Sequence, residues 1–250
     1  MLQNNLLNRR NKKQLIHALE TEQFERITCS FYRYININNL SAIRNKLYTR
    51  LINVNILGRI YIAGEGINAQ VSVPAPNWDE FVAILESFTE FKNIQIKPAV
   101  QHSKYSFIKL IVRVKNKIVA DGLKDNLIIA SDDDSYLSAT EFNDAMDDPN
   151  SIVVDMRNYY ESEVGHFDNA ICPDADTFKD ILPMVKKMLN KKKKNKLLLY
   201  CTGGIRCEKA SAYLKHHNFE DVNQLKGGII SYAQQVKEKN LECKFKGKNF

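Results

Sequence analysis

Apolar positions along the chain alternate between two periods. "ERITCSFYRYINI" is dense in β-branched and aromatic residues and reads as a strand. After it, Leu40, Ile43, Leu47, Leu51 and Val54 recur every three or four residues. That spacing predicts an amphipathic helix, with Asn39 or Ser41 as its N-cap. "ILGRIYIAGEGINAQVSVP" returns to strand composition on both sides of Gly64-Glu65-Gly66. "APNWDEFVAILESFTEF" is helical again, opened by Pro76 and Asn77, with Trp78, Phe81, Ile84, Leu85 and Phe88 facing inward. "YSFIKLIVRVKN" predicts a closing strand. Strand, helix, strand, strand, helix, strand is a split βαβ arrangement of ferredoxin type, placed here at 25–115. Residues 1–24 are polar with one short helical pattern and predict a loosely attached lead-in.

Residues 116–135 read as a linker, with "SDDDS" at 131–135 as its most exposed stretch. Its carboxylates lack the alternating spacing and distal Glu of a calcium loop, so it is read as a solvated turn. From 136 to 240 short apolar strands alternate with helices. Ser138 and Glu141 form a capping-box pattern before "ATEFNDAM". "SIVVDMR", "KLLLYC" and "VNQL" are strands, and "TFKDILPMVKKMLNKKKKN", "CEKASAYLKHHN" and "GGIISYAQQVKEKN" are helices, the first kinked or restarted at Pro183. The pattern predicts a parallel sheet covered by helices on both faces. Residues 241–250 form a C-terminal extension. The fold class is therefore α+β followed by α/β.

Charge sharpens the division. Residues 121–180 carry a net −13, residues 186–250 a net +11, and residues 1–120 the remaining +9 of the overall +7. Such segregation favours a polyanionic partner. The five cysteines form no CxxC pair, which argues against a disulfide framework or a zinc site. No metal site is expected. Free thiols, no signal-peptide core and no apolar run of membrane length predict a cytoplasmic protein with no membrane association.

The chemistry concentrates in "LLLYCTGGIRCEKA", Leu197 to Ala210. Cys201 ends a strand, and Gly203 and Gly204 allow a turn whose amides converge on one point. A helix starting near Cys207 and the guanidinium of Arg206 add positive potential. Each effect lowers a thiol pKa, and the thiolate is the reactive species. This reading needs a sulfur that is ionised and within reach of solvent. A buried structural cysteine beside a packing glycine pair is the simpler alternative, but Cys, Gly-Gly and Arg together at a strand-to-helix junction outweigh it. Cys207 is either a resolving thiol or a residue that packs the first helical turn.

Only four residues separate Cys201 from Arg206, one fewer than in cysteine phosphatases, so the loop Cys201, Thr202, Gly203, Gly204, Ile205, Arg206 suits a single sulfur better than a phosphate. It resembles a rhodanese active-site loop. Asp155, Arg157, Glu161, Gly165, His166, Ala170 and Ile171 match the rhodanese signature, with Phe167 and Asn169 as substitutions. "LKGGIISY" resembles its closing motif, with Tyr232 near the usual tryptophan. Asp155 and Arg157 are expected to form a structural network, and His166 a turn hydrogen bond.

Taken with "GRIYIAGEGINAQVS", these stretches resemble the rhodanese-domain tRNA uridine hydroxylases over about residues 25–250. The resemblance implies an acylphosphatase-like N-terminal domain, conversion of wobble uridine to 5-hydroxyuridine, molecular oxygen as co-substrate and Cys201 as the catalytic residue. No cofactor motif is identifiable. A sulfurtransferase carrying a cysteine persulfide would use the same loop and is the alternative. Candidate tRNA contacts are Arg33, Arg44, Lys46, Arg50 and Arg59 in the first domain, and the Lys191–Lys196 run, including Lys192 and Lys193, in the second. For that run, a solvated loop is the more economical reading. Phe31, Tyr32 and Tyr34 either stack on bases or belong to the core.

Overall fold

The computed structural model describes residues 11–99, 105–123 and 135–248. Residues 131–134 of the acidic turn and the first ten residues of the lead-in lie outside the described residues. The chain divides into two compact units, Met1–Ile118 and Val119–Phe250.

The first unit opens with α1 (Lys12–Glu20), capped by the Asn11 side chain and Gln14. Then come β1 (Arg26–Tyr34), α2 (Leu40–Asn53), β2 (Leu57–Ala63), β3 (Gly66–Pro74), α3 (Trp78–Glu86), β4 (Lys97–Pro98) and β5 (Leu110–Val114). The sheet order is β4-β1-β3-β2-β5. β3 is antiparallel to β1 and β2, and β5 is parallel to β2. The sequence pattern expects the 110–114 strand to be the fourth of the ferredoxin set. The place beside β1 belongs instead to the two-residue β4, and β5 adds to the opposite edge. Two residues are too few to show any period.

Asn39 takes the N-cap position of α2 in a left-handed conformation, but its side chain makes no cap bond. α3 is shorter than its apolar pattern and gives way to a 3-10 turn over Thr89–Phe91. Leu47 and Leu51 of α2 and Phe81, Ile84 and Leu85 of α3 seal one face of the sheet against Phe31, Ile60, Val71 and Val112.

The second unit contains β6 (Tyr136–Leu137), α4 (Ala139–Met146), β7 (Ile152–Asp155), α5 (Tyr159–Val164), β8 (Gly165–Phe167), α6 (Phe178–Met188), β9 (Lys196–Tyr200), α7 (Ile205–His216), β10 (Asp221–Leu225), α8 (Gly228–Lys239) and β11 (Phe245–Gly247). Ser138 and Glu141 close the capping box ahead of α4. α6 runs on through Pro183. The sheet order is β6-β10-β9-β7, all parallel.

Alternate residues of β9 point to opposite faces. Leu197 and Leu199 pack with Ile181 and Val185 of α6 and Ala210 and Leu214 of α7. Leu198 and Tyr200 pack with Phe142 of α4 and Ile229 and Tyr232 of α8. Phe167, one of the two substitutions in the signature, is the hub of an aromatic cluster. Its ring centre lies 4.8 Å from those of Tyr200 and Tyr232, and 5.3 Å from those of Phe142 and Phe245.

Candidate active site

β9, the apolar run Lys196–Tyr200, delivers Cys201 to the carboxyl edge of the parallel sheet, where loops and helix starts gather. Gly204 has φ +99°, a left-handed conformation that glycine adopts without strain, and caps α7. α7 therefore starts at Ile205, earlier than the sequence pattern places it, and Cys207 lies inside the first turn.

The sulfur of Cys201 is the focus of the loop. The Gly204 amide donates to it at 3.1 Å. Burial alone would raise the thiol. The Cys207 S–H, the Arg206 charge and the amides of Cys207 and Gly204 outweigh that cost and bring its pKa down to about 6. Cys207 moves the opposite way: burial and the neighbouring Cys201 sulfur push it well above the usual thiol range. The two thiols are thus driven in opposite directions, the ionised form favoured at 201 and the protonated form at 207.

The second requirement of the sequence reading is not met. Cys201 is 0% exposed, as is Cys207. Ionisation here comes from donors fixed by the protein, so it does not need water. Access does need a path; in the same loop Thr202 and Gly203 are half-buried, and a Cβ at Gly203 would meet nothing within 4 Å.

Glu161 is a member of this site to which sequence reasoning assigned no role. Arg206 Nη1 lies 2.6 Å from Glu161 Oε2, and Nη2 lies 2.9 Å from Oε1. Thr202 Oγ1 donates to Glu161 Oε1 at 3.2 Å. Burial works against the carboxylate, but the Arg206 bond and charge dominate and hold its pKa below the usual range. The available signal was its place in the D-x-R…E signature.

Asp155 and Arg157 brace the turn that leads into α5, the helix that carries Glu161. Both are fully buried, and Arg157 Nη2 meets Asp155 Oδ2 at 2.7 Å while also donating to the Gly165 carbonyl. His166 is exposed, and its Nδ1 lies 2.9 Å from the Ser162 carbonyl.

The closing motif holds the loop from behind. Ile229 N donates to the Cys201 carbonyl at 3.0 Å and Ile230 N to the Thr202 carbonyl at 3.2 Å. Gly228 makes that approach possible: its φ is +68°, and a Cβ there would lie 2.4 Å from the Cys201 carbonyl oxygen. The start of α8 thus bonds the carbonyls while the start of α7 faces the sulfur.

Most of the basic candidates are already engaged within their own unit. The Arg33 guanidinium donates to the carbonyls of Glu90, Lys92 and Asn93 at 3.3, 2.7 and 2.8 Å. Arg44 Nε donates to the Val112 carbonyl at 2.9 Å, and Arg50 donates to Ser87 Oγ. Lys46 lies over the Phe88 ring and Lys193 over the Phe219 ring. Arg59 and Lys192 are exposed. Phe31 is core, while Tyr32 and Tyr34 are on the opposite face of the sheet.

Comparison with known proteins follows this geometry. Residues 26–118 match the model of the UPF0176 acylphosphatase-like domain, and residues 138–235 that of the rhodanese-like domain. A tRNA uridine(34) hydroxylase of Leptospira interrogans is 55% identical over 239 residues, covering 96% of this chain and 65% of that protein. One from Erwinia tasmaniensis is 49% identical, covering 92% and 66%. One from Hamiltonella defensa is 46% identical over 246 residues, covering 98% and 69%. The chain belongs to the tRNA uridine(34) hydroxylase family. It spans about two thirds of the length of these family members, just under that share in the first two. Among the described residues no helix is long and apolar enough to cross a membrane.

Proposed function

We propose that the chain acts in hydroxylation of the wobble uridine of tRNA to 5-hydroxyuridine, with Cys201 as the nucleophile and molecular oxygen as co-substrate. The observation that carries this reading is the Cys201 sulfur met by the Gly204 amide at 3.1 Å, beside a guanidinium that Glu161 holds by two bonds. Family membership supplies the substrate class.

A thiolate adding to the ring carbon next to the reacting one moves electron density onto the reacting carbon, which prepares it to meet an oxidant. Molecular oxygen gives one atom to that carbon, and the other leaves as water with two electrons and two protons from an external two-electron reductant. Loss of the carbon's own proton then re-forms the ring double bond and expels the sulfur, and the donors that stabilised the thiolate receive it back. The Gly204 amide, the Cys207 amide and Arg206 need no rearrangement for this. Because Cys201 is sealed, the residues over its sulfur must move to admit the base.

The test is nucleoside mass spectrometry of tRNA from cells lacking this protein and complemented with wild-type or Cys201→Ser chain. The reading expects 5-hydroxyuridine to return with the wild type and not with the variant. Full restoration by Cys201→Ser would overturn it. A thiosulfate-to-cyanide assay separates the sulfurtransferase alternative, which rests on the same loop.

A further inference from the structure

The two faces of the N-terminal sheet are chemically different. One is sealed beneath α2 and α3. The other is set by strict alternation along the same strands. Strand register places Tyr32, Asn68, Tyr61 and Arg113 in one row across β1, β3, β2 and β5. Ser30, Gln70, Arg59 and Ile111 form the next row. Arg59, Gln70 and Arg113 are exposed, and Tyr32, Asn68 and Tyr61 are half-buried. Lys115, exposed just beyond β5, holds its Nζ 5.7 Å from the centre of the Tyr61 ring. No position in the two rows is a carboxylate.

The core of this unit is on the other face, and neither Tyr32 nor Tyr61 is part of it. Neighbouring strands are about 4.8 Å apart, so the two tyrosines stand about 10 Å from each other with Asn68 between them. Part of this face is already covered: the buried Lys97 holds its Nζ 4.8 Å from the centre of the Tyr32 ring, and Asn68 Nδ2 donates to the carbonyl of the buried Ile118 at 3.1 Å. Tyr61 is the ring set among exposed polar side chains, and an aromatic face can stack on any unpaired base. Arg59, Arg113 and Lys115 border that ring and supply charge for the phosphates on either side of the stacked base. Gln70 brings an exposed donor and acceptor for base edges. A duplex, with its bases already stacked on one another, could use the charge but not the ring.

We propose that this face binds unpaired nucleotides of RNA, with a base on Tyr61 and phosphates on Arg59, Arg113 and Lys115. The inference rests on the reading of tRNA as substrate and names the part recognised, a single-stranded loop.

The experiment is fluorescence anisotropy with the full chain, using a labelled seven-nucleotide oligouridylate and, separately, a mixed-sequence RNA duplex. Tyr61→Ala should weaken oligouridylate binding about tenfold and leave its salt dependence unchanged. Tyr61→Phe, which keeps the ring, should bind like wild type. The double variant Arg59→Gln/Arg113→Gln should flatten the slope of log affinity against log salt by about 1.4. Both of its sites are exposed, so this arm stands even if Tyr61→Ala folds poorly. Wild-type affinity in Tyr61→Ala and an unchanged salt slope in the double variant would overturn the proposal. So would an equal loss for oligouridylate and duplex in Tyr61→Ala. Hydroxylation is read separately, by nucleoside mass spectrometry of tRNA, so failure of that reading leaves this surface standing, and failure here leaves the Cys201 reading untouched.

Discussion

Glu161 holds Arg206 by two bonds, at 2.6 and 2.9 Å, and so aims the guanidinium beside Cys201 from a helix 45 positions earlier in the chain. The two side chains are only 12% and 16% exposed, so water screens the pair weakly. α5 and α7 are tied together at the mouth of the loop, and Thr202 is fastened to the same carboxylate.

Removing Glu161 therefore loosens the loop and strands a buried cation. Glu161→Ala should cost about 1–3 kcal/mol of stability in the rhodanese unit. The sign of the pH dependence follows from the lowered carboxyl pKa. The contribution is present above the ordinary carboxylate pKa and is lost as pH falls through the lower folded value. Thermal melts of wild type and variant should differ at pH 7 and converge below about pH 4. A gap that stays constant across that range would remove the ion pair as its source.

Cys207 offers a second handle on the same sulfur. Its S–H is the strongest of the contacts that lower the Cys201 pKa. Cys207→Ala should raise the pKa of Cys201 toward the ordinary thiol value. Cys207→Ser keeps an O–H donor and should leave it near the wild-type value. Alkylation rates of Cys201 against pH, read by mass spectrometry, separate the two. Equal shifts in both variants would mean that the donor is not the cause.

The glycines of the site make opposite predictions. At Gly228 a Cβ would collide with the Cys201 and Thr202 carbonyls at 2.4 and 2.6 Å, and the backbone is left-handed. Gly228→Ala should cost about 1–3 kcal/mol and push the loop out of register. Gly203→Ala meets open space and should melt within a degree or two of wild type. If Gly203→Ala proved the more damaging, the account of the loop's packing would be wrong.

Much of this was visible in the sequence where local chemistry is repeated. The run Lys196–Tyr200, the paired glycines and the capping box at Ser138 and Glu141 each announce themselves over a few residues. The rest depends on partners far apart in the chain. β4 is two residues long, and only pairing with Cys29 and Ser30 defines it. Arg33 looks like a free cation in sequence, yet three carbonyls 57 to 60 positions away take its donors. Glu161 acquires its role only when α5 meets α7. The sealing of Cys201 was missed for the same reason: burial at a loop is decided by what packs behind it, here the start of α8.

The central claim is that fixed donors keep the Cys201 sulfur ionised at neutral pH in a sealed site. The most direct measurement is iodoacetamide alkylation of Cys201 in the intact protein across pH 4 to 10, quantified by peptide mass spectrometry. The account predicts slow but measurable labelling, with a midpoint at about 6. A midpoint at the ordinary value of about 8.5, or no labelling at any pH short of unfolding, would contradict it.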